Sequence, residues 1–191
     1  MKTLKNLFWN LALCAFTITS SLTADVISAV GPVIKLDANG NGVAIWQGWD
    51  DNNAYVIRGA TMAAGGDWNS PVTLSNVAYS SYLNNISPTE NLAVNDAGNA
   101  LAVWISNVEA ASNVYAIKLI DSVWELDATL LSDEVEYVAF YDLVAKIDNT
   151  ESENVTVLWS SYLEVDAAVR GATGTLAGTW SSPFTLDPVF P

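Results

Sequence analysis

The side chains able to do chemistry are overwhelmingly carboxylates. The chain carries 21 Asp and Glu against 7 Lys and Arg, and no histidine at all. Without histidine the commonest general base and metal ligand is missing, and a Ser-His-Asp arrangement cannot form. The single cysteine, Cys14, lies in an N-terminal apolar segment, so a processed chain has neither thiol nucleophile nor disulfide. Paired carboxylates could still cleave glycosidic bonds. The candidates, Asp50 with Asp51 and Asp133 with Glu134 and Glu136, fall in polar loops, where acids are ordinarily just solvated. "DANGNG" at 37–42 matches the opening of a calcium loop, but the twelfth position, where an acid is needed, is Gly48. The same residues suit an Asx-type hairpin turn, with Asp37 capping local amides and Gly40 and Gly42 at positive φ. No catalytic residue, metal ligand or cofactor is assigned on these grounds.

The aromatic residues offer a different chemistry. Trp49 stands beside Asp50, Asp51 and Asn52; Tyr82 lies in the next polar segment; Tyr141 lies in a later one; Tyr162 follows Trp159. A flat apolar ring with amide and carboxylate groups at its rim suits a sugar face. Trp49, Asp50, Asn52, Tyr82, Tyr141 and Tyr162 are therefore the candidate ligand contacts, with plain packing of the linkers as the competing reading of the aromatics.

What must position these residues is a repeat. "GDWNSPVTLS" at 66–75 returns as "GTWSSPFTLD" at 178–187, with a worn copy, "WELDATLLS", between them at 124–132. Four series run through the chain: Trp46, Trp104 and Trp159; Trp68, Trp124 and Trp180; Leu74, Leu130 and Leu186; Asp37, Asp96 and Asp148. Three units follow, at about 31–76, 88–133 and 140–188, and a period near 50 residues points to an array, solenoid or propeller. Each unit splits into four short runs rich in Val, Ile, Trp and Tyr, separated by Gly, Asn and Asp, which is strand-and-turn chemistry. The second run is apolar on both faces and must be covered on both. Pro71 and Pro183 mark the fourth run as an edge. The expected fold is all-β, with three four-stranded blades of the β-propeller type per chain.

The pattern of an Asp turn, an Ala-Val-Trp run, a V-x-G-A run and G-x-W-S-x-P-x-x-L resembles the sialidase-like propeller repeats of secreted bacterial proteins. The resemblance covers most of 31–188 and implies a fold more than an activity. A sialidase of that kind would need an arginine cluster. Here only Arg58 and Arg170 are present beyond the leader, with Lys118 as their counterpart in the middle unit, and equivalent positions on successive blades diverge. The Asp-box spacing is absent as well, since Asp96 stands eight residues before Trp104. Three blades are also fewer than a propeller normally has, and both end faces would be open. Two chains closing one ring, a truncated piece of a longer chain, or a monomeric β-sandwich or twisted open array are the ways out.

Residues 1–24 read as a signal peptide: Lys2 and Lys5, an apolar stretch, then small residues ending at Ala24. Residues 25–191 form the repeat domain, which contains no run long enough to span a membrane. Removing Lys2 and Lys5 leaves 5 basic against 21 acidic residues, a balance of −16, which repels nucleic acid. These readings converge on an exported protein, secreted, periplasmic or at the cell surface. It is expected to bind carbohydrate or protein without catalysis, and to form a homo-oligomer that closes a ring. The alternatives are a sialidase-like glycoside hydrolase and a propeller fragment without independent function.

Overall fold

The computed structural model describes residues 29–49, 55–75, 80–82, 88–108, 111–132, 137–163 and 166–187. The expected signal peptide, Asp50 and Asn52 lie outside them. The described residues form strands, turns and one short 3-10 turn, Pro88–Asn91. No helix among them is long and apolar enough to cross a membrane.

Three antiparallel sheets follow one another along the chain. The first is β1 (Ala29–Leu36), β2 (Gly42–Trp49), β3 (Tyr55–Met62) and β4 (Val72–Thr73), each strand beside its predecessor. In the second, β5 (Ser80–Tyr82) and β6 (Leu92–Val94) share one edge of β7 (Ala100–Val108). On the far side of β8 (Ala111–Ile120) lie β9 (Val123–Trp124) and β10 (Thr129–Leu130), so this sheet too has four rows. The third is β11 (Tyr137–Ile147), β12 (Asn154–Leu163), β13 (Asp166–Thr175) and β14 (Phe184–Asp187), again in chain order. These are three four-stranded, propeller-type blades, as the repeat requires. The second blade opens at Ser80 and the third at Tyr137, so segments expected as linkers supply strand instead.

The blades stack face to face because their second strands are apolar on both sides. Val43 and Ile45 of β2 meet Ala100, Ala102 and Trp104 of β7 in one core; Leu101, Val103 and Ile105 meet Val155, Val157 and Trp159 of β12 in the other. Residues 100–105 are accordingly almost wholly buried. Every first strand breaks at the same level. Val30 faces Gln47 but Val33 faces Ile45; Tyr82 faces Ile105 but Leu92 faces Ala102; Val138 faces Ser161 but Leu143 faces Trp159. The excursion is longest in the second blade, where it carries the 3-10 turn.

Strand register corrects three of the expected equivalences. Arg58 faces Trp46 and Arg170 faces Trp159, whereas Trp104 faces Tyr115. Tyr115, not Lys118, therefore stands where the other blades have arginine. The Leu74 N–H donates to Ile57 and the Leu131 N–H to Val114, so Leu131 replaces Leu130 in that series. The turn after the first strand begins at Asp37, Asn95 and Asp148, so Asn95 replaces Asp96. In the leucine series the loop from Trp124 to Leu131 is one residue longer than that from Trp68 to Leu74; in the other two series a residue of similar type stands one or three positions away from the one that the register selects.

Candidate functional site

The two ends of the blades differ in chemistry. At one end lie the turns between first and second strands. The Asp37 Oδ1 accepts the N–H groups of Asn39 and Asn41, each at 2.8 Å, and the Asn41 side chain donates to Oδ2 at 2.7 Å. Asn95 does the same for Ala97 and Asn99, and Asp148 for Thr150 and Asn154. This is the Asx turn, with Gly40 and its counterpart Gly98 both at φ 86°, a conformation that a Cβ disfavours. Gly42 does not share it; it opens β2. Burial pushes the Asp37 carboxyl up, but hydrogen bonds from Asn41, Asn39 and Gly40 outweigh that and hold it below its ordinary value. Hydrogen bonds from Asn154 and Thr150 hold Asp148 low in the same way. The turns also tie blade to blade. The Glu153 carboxylate accepts both the Asn95 and Asn99 side-chain amides at 2.7 Å, and the Asp96 N–H donates to Asn149.

The excursion in the second blade sets Glu90 against the first strands of both neighbours. It pairs with Lys146 of β11, and this hydrogen bond holds its carboxyl low, helped by the charges of Lys146 and Lys35. A carboxylate so neutralised is a structural clamp between blades rather than a base.

At the opposite end lie the hairpins between second and third strands. Trp49 closes β2 and faces Tyr55, their rings 3.9 Å apart and tilted by 37°. Tyr82 faces Ile105, and Tyr162 faces Tyr137. Tyr141 lies in β11, within the break between Val138 and Leu143. Trp49, Tyr82 and Tyr162 therefore belong to the same end of the stack but to three different blades. Tyr82 and Tyr141 are strand residues rather than linker residues. Asp50 and Asn52 lie outside the described residues.

A cleft of about 240 Å³ opens near this end, between the first and second blades. Thr73, Leu74 and Ser75 form one wall; Trp104, Ser106 and Tyr115 form the other; Leu126, Asp127 and Ala128 form the lip. Trp104 is buried and backs the cleft. Half-buried Tyr115 stacks on it nearly parallel, with centroids 6.3 Å apart and planes at 14°. The first wall is tied to β3 by local hydrogen bonds. Ser75 Oγ accepts the Ile57 N–H at 2.9 Å, just as Ser132 Oγ accepts that of Val114 at 3.0 Å. Asp127 is the only carboxylate among the described residues that line the cleft. Sequence reasoning missed Tyr115, because Lys118 was assigned to its place in the repeat.

No family model matches the sequence, and no curated protein matches it. A solved structure similar to the chain is described as "Crystal structure of a thermostable family-43 glycoside hydrolase". The TM-score is 0.43 at 11% identity, over 82% of this chain and 54% of that one, so the chain spans about half the length of that enzyme chain. The expectation of a chain without enzymatic activity is corrected at this point. That solved structure is described as an enzyme's. The carboxylates set aside above as solvated, Asp50, Asp51, Asp133, Glu134 and Glu136, are of the type glycoside hydrolysis uses, and they lie outside the described residues.

Proposed function

We propose that this chain is an exported, carbohydrate-directed propeller domain that seats a neutral glycan in the cleft between its first and second blades. The observation that carries the reading is the cleft itself. A stacked Trp104–Tyr115 pair backs it, and Ser106, Thr73, Ser75 and Asp127 supply hydroxyl and carboxylate groups around that apolar face. Sugars present the matching surface, with apolar C–H faces and hydroxyl edges. The formal charge of −14 favours a neutral glycan over a sulfated or sialylated one and disfavours nucleic acid. Motifs resembling sialidase-like repeats and the signal-like leader support the exported setting.

Titration with a panel of neutral oligosaccharides, followed by tryptophan fluorescence, tests this. Binding that Tyr115→Ala weakens by roughly tenfold or more, about 1.4 kcal/mol, supports the cleft. Absence of binding at millimolar sugar overturns it. The same mixtures assayed for new reducing ends separate holding a glycan from cleaving it. Release that Asp127→Asn abolishes would make the domain a hydrolase, with Asp127 as one of the two carboxylates such chemistry requires.

A further inference from the structure

The two outer faces of the stack are not alike, and each is one half of an internal junction. In every blade the second-strand tryptophan points toward the preceding blade: Trp104 toward the first, Trp159 toward the second. Trp46 points the same way, onto a face that no described blade covers. Beside it in β1, on the same side by register with Ala44 and Gly42, are Ile34 and Leu36, which are 52% and 60% exposed. The residues at the Ile34 position in the other blades, Leu92 and Ala145, are each 1% exposed, because a preceding blade covers them.

The third blade shows the converse. Val169 is 39% exposed and Leu186 56%. Their counterparts facing a following blade are buried: Ile57 and Val114 at 0%, Leu74 and Leu131 at 5% and 3%. The first blade thus presents the surface that receives a preceding blade, and the third presents the surface that receives a following one.

We propose that a second copy of this chain covers both faces, third blade on first blade, twice, closing a six-blade ring. The faces are halves of a junction that this chain already makes twice, so a surface that fits each is carried by the same molecule. Six is also the one multiple of three within the usual range of about four to eight blades. A head-to-tail contact that closes after two copies needs no other partner. Exposed apolar residues grouped on two faces are what such an interface buries.

Light scattering after size exclusion of the full chain, at low to high micromolar concentration, is the test. The expected result is twice the chain mass. Ile34→Asp with Leu36→Asp, or Val169→Asp with Leu186→Asp, should each give monomers, since either pair spoils both contacts. Mixing the two variants should restore a dimer, because one unaltered junction re-forms between them. Val123→Asp, at a site 68% exposed and away from both faces, should leave the dimer intact. A folded wild-type monomer overturns the proposal; it is the outcome expected if further blades of a longer chain complete the ring. So does a dimer that survives one of the face variants, which would mean like-to-like pairing, or a polymer of indefinite mass.

Discussion

The two internal junctions are built from the same repeat positions and sealed by different chemistry. Between the first and second blades the seal is apolar and close. Trp124 lies on Gly59 so tightly that a Cβ there would come within 3.1 Å of its ring and 2.8 Å of Leu74. Between the second and third blades Trp180, which holds the same position, meets a buried cation. Lys118 is 3% exposed, and its ammonium donates to the Thr175 carbonyl at 3.1 Å and the Gly178 carbonyl at 2.6 Å, 5.4 Å from the Trp180 ring. The repeat keeps where a side chain sits and what it must cover. It leaves open whether contact or charge does the covering.

The sharpest way to break that contrast is to add volume to the apolar junction. Gly59→Ala is expected to destabilise by about 1–3 kcal/mol, the usual cost of overpacking. Leu74 can rotate its methyl away, but the Trp124 ring is rigid, so the cost should come from Trp124. Denaturant unfolding of Gly59→Ala, Trp124→Phe and the double variant measures this. A coupling of about 0.5–3 kcal/mol in the relieving direction is expected. Simple additivity would show that Trp124 does not set the fit. The second junction has Ala116 at the same register position, facing Val103 as Gly59 faces Ile45, and already accommodates that Cβ.

The polar junction should respond to pH instead. Burial lowers the Lys118 pKa from 10.5, and the Glu125 charge opposes this only in part. The unfolded chain therefore holds this proton more firmly than the folded one. The penalty is fully present below the folded pKa and is relieved as pH rises through it toward 10.5. Wild-type Tm, relative to Lys118→Met, is expected to rise over that alkaline window, with the difference near neutral pH within about 1–2 kcal/mol because an apolar isostere replaces a buried charge at little cost. A wild-type curve parallel to that of the variant across the whole range would show that Lys118 is not desolvated by the third blade.

Much of this was legible. The four-stranded blades followed from the repeat and from strands apolar on both faces, since nothing but stacking covers such strands. The errors arose where resemblance of residues was preferred to spacing. Arg58 stands twelve residues after Trp46, and Arg170 eleven after Trp159; the same interval from Trp104 reaches Tyr115, the residue that lines the cleft. Likewise Asp37 stands nine residues before Trp46, and nine before Trp104 is Asn95, not Asp96. An amide oxygen caps the turn as well as a carboxylate does, so the chemical type is free to drift at a position that strand register holds. The cleft was not legible, because it depends on how far two blades separate at their hairpin ends. Local pattern does not encode that.

This freedom of type gives the smallest expected effect. The second blade already uses Asn where the others use Asp, so Asp37→Asn keeps the acceptor for the Asn39 and Asn41 amides. Near neutral pH its Tm should stay close to wild type. In acid the two should part. The folded Asp37 carboxyl sits below its usual 3.8, so its contribution is present above that value and fades as pH falls through the folded one. The amide that replaces it in the variant does not titrate, so the variant's Tm should decline less as pH falls below 3.8. Asp148→Asn should behave alike, since the same pattern of donors holds it low. Equal acid sensitivity in wild type and both variants would place the acid-labile group elsewhere, with the Glu90–Lys146 clamp between blades the next to replace.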